Sequence, residues 1–267
     1  MNTRLFVLVS SKQQLLTRVD SNFYKSISPM RKNTLTFALS IFLGISVSSS
    51  YAQSWEHTDA DRKVAVEVDT LKKKGYTLIW INKDKEFSAE TKQQLIDTYF
   101  INYPKLAKKF NKKTRKEVTF VIDPEYDGVA ATAGGIVRYS PNWLKKNPHD
   151  IDVVTHEVMH IVQAYPNGSG PWWITEGIAD YIRFKYGVAN EAGNWRLPEF
   201  NEKQKYTDSY RITARFFNWI EHNKKKNFVK KLDLAMRNKT YSDSFWANET
   251  GKTIDELWAE YALNPAI

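Results

Sequence analysis

The chain has 267 residues, with 39 lysine or arginine and 30 aspartate or glutamate residues, so its formal net charge is +9. It contains no cysteine, which excludes disulfide bonds, thiolate zinc sites and cysteine nucleophiles. The lysines occur in short runs typical of solvated helix ends and turns, and no recognised nucleic-acid-binding module accompanies them, so we expect no nucleic-acid partner.

The first elements in chain order form a targeting segment. A basic stretch at 30–32 precedes an apolar stretch at 35–47, and small residues at 50–52 close it. This pattern predicts a secretory signal peptide over residues 30–52, with cleavage before Gln53, and its apolar part is too short for a membrane span.

Residues 1–29 are polar and precede the usual position of a signal peptide. We interpret them as an over-extended start, with translation beginning at Met30; the alternative is a genuine cytoplasmic extension before a membrane anchor. Cleavage would leave 53–267 as one secreted or periplasmic domain without a stable membrane anchor. The removed segment carries six basic residues and one acidic residue, which lowers the net charge to +4.

The remaining chain predicts strands early and helices late, a pattern typical of an α+β domain. A helix is expected from Ser88 to about Phe110, with Pro104 kinking or dividing it. A turn is expected at 123–128. The predicted strands are at 64–68, 76–82, 116–122 and 134–139. The later predicted helices are at 152–165, 171–187, 208–223, 227–238, 241–248 and 253–261.

The helix at 152–165 carries the sequence H-E-x-x-H at positions 156–160. Residues four apart lie on one helix face, so His156 and His160 can bind one zinc ion, with Glu157 close enough to act on a metal-bound water. The alternative is a buried histidine pair without a metal. The apolar residues of this helix occupy the roughly opposite face, which favours the metal site.

The next helix places Glu176 and Asp180 four residues apart on one face. Pro171 fits its first turn after a cap at Ser169-Gly170, and Gly187 suits its end. Gly177 in its interior indicates that another group passes close.

A solvated acidic face is the alternative reading of this helix, but most of its other residues are aromatic or aliphatic. A carboxylate among them needs a cation or hydrogen bonds. We therefore predict Glu176 as the third metal ligand and Asp180 as the hydrogen-bond partner of a zinc-binding histidine.

Four sequence blocks carry a family resemblance. The first three are HEVMHIVQ at 156–163, WITEGIADYIR at 173–183 and YRITARF at 210–216. The fourth is C-terminal and consists of MR at 236–237, YSDSFW at 241–246 and GKTIDELW at 251–258. From about Tyr76 to Tyr261 the chain resembles the basic secretory protein family, a group of zinc peptidases in plants and bacteria. The cysteines of plant relatives are absent, as expected for a bacterial-type member.

More broadly, H-E-x-x-H followed by E-x-x-x-D resembles the glutamate-zincin peptidases. The resemblance implies the ligand set His156, His160 and Glu176, with Asp180 accepting a histidine N–H. It also implies a zincin-like fold, in which a small N-terminal mixed sheet and an active-site helix precede a mostly helical C-terminal part. The interval between the motifs is shorter than in thermolysin-like enzymes, so a shorter loop must bring the second helix back.

The expected activity is that of a secreted peptidase with one catalytic Zn²⁺ ion, in which Glu157 acts as general base on a zinc-bound water. Tyr210, in the third block, is the candidate second donor to the oxyanion, although it could also be an ordinary packing tyrosine. We expect a peptide or protein substrate to add as an edge strand beside Gly135 and Ile136, unless this strand is purely structural.

Two other functions are compatible with the same residues. One is a non-catalytic secreted binding or defence protein that keeps zinc for stability, although Glu157 has no role in such a protein. The other is a zinc hydrolase that acts on non-peptide amides such as cell-wall material. A peptide hydrolysis assay with and without a chelator distinguishes these possibilities.

Overall fold

The computed structural model describes residues 6–7 and 57–267. The predicted signal peptide, its cleavage point and nearly all of the predicted extension lie outside the described residues. None of the helices in the described part of the chain combines the length and apolar character of a membrane span. The elements in chain order are β1 (Phe6–Val7), α1 (Asp59–Val64), β2 (Glu67–Lys73), β3 (Tyr76–Asn82), α2 (Ala89–Lys109), β4 (Glu117–Ile122), β5 (Ala130–Ala133), β6 (Ile136–Tyr139), α3 (Pro141–Lys146), α4 (Val153–Gln163), α5 (Trp172–Tyr186), a 3₁₀ turn (Tyr206–Asp208), α6 (Tyr210–Asn223), α7 (Phe228–Arg237), α8 (Ser244–Thr250) and α9 (Ile254–Leu263).

The described strands form one mixed sheet in the order β1-β5-β6-β4-β3-β2. Strands β3, β4 and β6 are parallel neighbours, and β2 and β5 pair antiparallel with the strands beside them. Helix α2 makes the crossover between β3 and β4 that parallel pairing requires. Gly134 and Gly135 join β5 to β6 with φ angles of 57° and 87°, which a two-residue hairpin loop needs and glycine supplies. The prediction of an α+β fold is confirmed.

The two faces of the sheet have different partners. Alternate residues such as Trp80, Phe120 and Tyr139 are fully buried against the helices in the main core. On the other face Ile81, Val121 and Ile136 form a small separate cluster. The helix-facing side of the sheet therefore carries the large core, and the first metal-motif helix, α4, packs there.

Helix α5 packs closely against α6 through Gly177. A Cβ atom at this position would lie 2.3 Å from Cγ2 of Thr213 and 3.1 Å from Cε2 of Phe217. Only glycine allows this approach, which explains its presence in a helix interior despite its low helix propensity. The contact brings the N-terminal end of α6 beside the E-x-x-x-D segment.

Of the two outcomes predicted at Pro104, a kink or a division, the division does not occur, because α2 runs through this residue from Ala89 to Lys109. Proline has no N–H to donate to the carbonyl four residues earlier, which belongs to Phe100. Nζ of Lys74 donates to that carbonyl at 3.3 Å. A side chain from the β2–β3 turn thus provides a replacement partner, and the helix continues.

Three other boundaries differ from prediction. Strand β2 begins at Glu67, because α1 occupies the residues up to Val64. Strand β5 lies in a stretch for which no strand was predicted, since its sequence AATA has little β propensity. Ser169 does not cap α5: its hydroxyl donates to the carbonyl of Pro166 at 2.6 Å, and Pro171 is the capping residue.

Candidate metal centre

Helix α4 is buried on every side, because α5 covers the face that carries its histidines. The side chain of His156 is 1% exposed and that of Glu157 is also 1% exposed. The face that carries the histidines is therefore part of the interior, as the opposite apolar face is. Asp152, the capping residue, accepts from the backbone N–H of Val188 at 2.9 Å, which ties the start of α4 to the chain after α5.

Three ligand-type atoms meet between α4 and α5. Oε2 of Glu176 lies 3.2 Å from Nε2 of His156 and 3.5 Å from Nε2 of His160. The two Nε2 atoms are 3.1 Å apart. Ligands about 2.0–2.1 Å from a tetrahedral zinc ion are separated by about 3.3 Å. The three side chains therefore already form one face of a tetrahedron of the size that zinc requires, and among the described residues they are the group that can hold a metal.

Each imidazole is held by a hydrogen bond from its other ring nitrogen. Nδ1 of His156 donates to Oδ1 of Asp180 at 2.6 Å, and Nδ1 of His160 donates to Oε1 of Gln163 at 2.8 Å. Nε2 of Gln163 donates in turn to the backbone carbonyl of Thr175 at 2.9 Å. With the proton on Nδ1, each Nε2 presents its lone pair to the metal position.

Sequence reasoning identified Asp180 but missed Gln163. The available signal was its spacing, because Gln163 follows His160 by three residues and so lies on the same side of the helix. The amide of Gln163 serves both helices, since it receives the histidine N–H of α4 and donates to a carbonyl of α5. It therefore fixes the distance between the two helices as well as the orientation of the ring.

The charges of the centre perturb its titration. Burial opposes the imidazolium form of His156, but the charge and hydrogen bond of Asp180 outweigh it and raise the pKa of His156 to about 10. Burial likewise opposes ionisation of Glu176, but the neighbouring imidazoles lower the pKa of Glu176 to about 2. The centre therefore holds a proton on His156 at neutral pH until a cation displaces it.

The carboxylate of Glu157 contacts the sheet. Its Oε2 accepts a hydrogen bond at 2.6 Å from the hydroxyl of Thr132 in β5. Burial raises the pKa of Glu157, an effect that the positive charge of nearby His156 and His160 opposes. A raised pKa suits a group that must accept a proton and release it again near neutral pH.

Tyr210 lies beside the centre, at the start of α6. Its ring centroid is 6.2 Å from that of His156 and 6.1 Å from that of Trp172. Burial raises the pKa of Tyr210, and the carboxylates of Glu176 and Glu157 raise it further, so the phenol keeps its proton. Ser209 and Tyr210 have φ angles of 70° and 49°. Strained backbone of this kind is often found at functional sites.

The prediction of an open edge strand at Gly135 and Ile136 is wrong. Strand β6 pairs with β4 on one side and with β5 on the other, so Gly135 and Ile136 have no open edge to offer a substrate. The side chain of Ile136 also packs on the sheet face opposite α4. The edge strands of the described sheet are β1 and β2, and β5 lies next to β1, whose two residues pair with its outer side.

Among the solved structures that are similar to this chain are two peptidase-type proteins. One is a two-domain M1 zinc metallopeptidase mutant bound to L-tryptophan, with 12% identity and a TM-score of 0.47 over 75% of this chain and 52% of that chain. The other is an aminopeptidase N family protein from Idiomarina loihiensis, with 10% identity and a TM-score of 0.42 over 73% of this chain and 46% of that chain. The chain spans about half the length of these proteins.

No curated protein matches the chain. A family model described as "Peptidase of plants and bacteria" matches residues 63–261, which includes both metal motifs and the C-terminal helices. The match covers well over half of the chain and confirms the resemblance drawn from the four sequence blocks. The chain belongs to this family of peptidases of plants and bacteria.

Proposed function

We propose that the protein is a secreted zinc peptidase that hydrolyses peptide bonds with Glu157 as general base. The observation that carries this proposal is the triangle of His156, His160 and Glu176, whose edges of 3.1, 3.2 and 3.5 Å fit a tetrahedral zinc site. Nitrogen and carboxylate donors without thiolate are the ligands of catalytic rather than closed structural zinc sites.

The residues divide the reaction between them. When bound, zinc lowers the pKa of a coordinated water towards neutrality and polarises the scissile carbonyl. Glu157 accepts a proton from the attacking water and gives it to the leaving amine, so the peptide C–N bond breaks as the new C–O bond forms. Tyr210 donates a hydrogen bond to the oxyanion that develops on the carbonyl.

The substrate backbone would pair with the outer side of β5, and not with β6 as the sequence predicted. In the structure the outer side of β5 pairs with Phe6–Val7, which lie before the predicted signal peptide. A protein translated from Met30, or one exported with signal cleavage, would lack these residues and leave this edge open to an extended peptide.

The test compares the wild-type protein with Glu157→Gln and Glu176→Gln on casein and on a quenched fluorescent peptide. Glu157→Gln should keep one zinc ion per chain and lose about 10²–10⁴-fold in turnover. Glu176→Gln should lose both the metal and the turnover. Hydrolysis that survives complete removal of zinc, or full turnover in Glu157→Gln, would contradict the proposal. A zinc-loaded wild-type protein that hydrolyses neither substrate would favour the non-catalytic alternative.

A further inference from the structure

Thr132 makes the contact that holds the carboxylate of Glu157. Its Oγ1 lies 2.6 Å from Oε2 of Glu157 and 3.2 Å from the backbone carbonyl oxygen of the same residue. A hydroxyl has one hydrogen to donate, so the shorter distance identifies the carboxylate as the main acceptor. A separation of 2.5–2.7 Å is typical of a charge-assisted O–H···O⁻ bond. Thr132 is 4% exposed, so water does not compete for this hydrogen.

We propose that Thr132 is a positioning residue for Glu157, and this rests on the proposed role of Glu157 as the base. A glutamate side chain has three rotatable bonds, and catalysis requires its carboxylate to be held within a fraction of an ångström. The hydroxyl fixes Oε2, which leaves the proton-accepting role to Oε1. Thr132 does not itself touch the substrate or the metal.

The pairing of β5 with β6 sets the position of Thr132. In the β5–β6 hairpin it stands opposite Val137, a fully buried residue of the main core. The alternation of side chains along a strand then directs Thr132 to the helix-facing side, under α4. Strand β5 therefore contacts Glu157 on the side of α4 that faces the sheet. The ligand-type side chains lie on the side of α4 that faces α5.

Tyr139 offers a matched control on the neighbouring strand. It stands opposite Ala130 in the same hairpin and is fully buried. Burial raises the pKa of Tyr139 well above its usual range, and the charge of Glu157 raises it further, so the two groups are near each other. Within the described part of the chain its hydroxyl has no hydrogen-bond partner. Tyr139→Phe therefore removes a buried hydroxyl near Glu157 that does not hold the carboxylate.

The kinetic test uses the full mature chain and the variants Thr132→Val, Thr132→Ser and Tyr139→Phe. Thr132→Val keeps the shape but loses the donor, and should lower kcat on the order of 10- to 100-fold, a part of the 10²–10⁴-fold that a general base contributes. KM and zinc content should stay within about twofold, because the removed bond acts on the base alone. Thr132→Ser should stay within about threefold of wild type, and Tyr139→Phe should be unchanged. Unchanged kcat in Thr132→Val, or equal losses in the serine and valine variants, would overturn the proposal.

A crystallographic test is independent of turnover. In metal-free crystals, Glu157 should leave its position in Thr132→Val and stay within hydrogen-bond distance of the hydroxyl in Thr132→Ser; an unmoved carboxylate in Thr132→Val would also overturn the proposal. If the valine variant does not fold, Thr132→Ala gives the same comparison. If the wild-type protein hydrolyses no substrate, the proposed function is refuted. The crystal structures of the variants would still show whether Thr132 holds the carboxylate of Glu157.

Discussion

Replacement of Asp180 by asparagine should change how zinc affinity depends on pH. In the metal-free protein, Asp180 supplies the two largest contributions that raise the pKa of His156 to about 10. In the proposed zinc site the same hydrogen bond would make the neutral imidazole a better ligand. Asp180 would then stabilise both the proton and the metal on His156, and these two would compete for the ring.

The two effects have different pH dependences. Loss of the carboxylate should weaken intrinsic zinc binding by about 10- to 100-fold at every pH. It should also move the pKa of His156 from about 10 towards its ordinary value of 6.5. Zinc displaces this proton, so below pH 10 the affinity of the wild-type protein rises about tenfold per pH unit, whereas that of Asp180→Asn levels off soon above pH 7. The ratio of the two dissociation constants should therefore change by up to about 100-fold between pH 7 and pH 9.

A competition titration against a chromophoric zinc chelator at pH 7, 8 and 9 measures this ratio. Calorimetry in buffers of different ionisation enthalpy should show about one more proton released by wild type than by Asp180→Asn at pH 8. Gln163→Met is the matched control, because it removes a neutral hydrogen-bond acceptor from His160. It should weaken binding by about 2- to 10-fold, as expected for a neutral hydrogen bond of 0.5–1.5 kcal/mol, with the same pH dependence as wild type. An affinity ratio between wild type and Asp180→Asn that does not vary with pH would refute the reasoning.

Three further outcomes are expected. Tyr210→Phe should lower kcat by about 10²–10³-fold with zinc content unchanged, as for the loss of one oxyanion donor, and an unchanged rate would leave Tyr210 with a packing role. Gly177→Ala should destabilise the protein in urea unfolding, because overpacking costs about 1–3 kcal/mol and the helix propensity of alanine offsets about 1 kcal/mol. Adding Thr213→Ser, which removes Cγ2 but keeps the hydroxyl bonded to Tyr206, should restore part of the lost stability, because the Cβ atom of residue 213 would still lie 2.8 Å from the added methyl group. The metal-free protein should lose stability as pH falls from 4.5 to about 2, because the pKa of Glu176 is lowered in the folded state and the contribution exists only above it; Glu176→Gln should lack this acid limb.

The parts of the site that lie within one helix were predictable from spacing alone. His156 and His160 are one turn apart, as are Glu176 and Asp180, so the helical period fixes each pair on one face. The meeting of the two pairs was a guess about tertiary packing, supported by the apolar surroundings of Glu176. The strand Tyr76–Asn82 was equally predictable, since its alternating β-formers coincide with its observed bounds.

The parts that depend on strand order were not predictable. Thr132 precedes Glu157 by 25 residues, and its strand AATA carries little β propensity of its own. The glycine hairpin and the pairing with β6 make it a strand, and neither register nor edge position can be obtained from composition. The same limit explains the wrong assignment of Gly135 and Ile136. A short β-prone segment after two glycines looks like an exposed edge until the partner on each side is known.

The balance of charge inside the centre links its stability to its proposed chemistry. Three carboxylates, those of Glu157, Glu176 and Asp180, are at least 95% buried beside two imidazoles. Neutral imidazoles would leave up to three negative charges in a region that excludes water, and the pKa of His156, raised to about 10, indicates that this ring takes up a proton in the metal-free protein. A divalent cation that displaced this proton would offset the carboxylates in its place. In a chain without disulfides, such an ion at a thousand times its dissociation constant would add about 4 kcal/mol to folding, so the proposed metal would contribute to the stability of the fold as well as to the reaction.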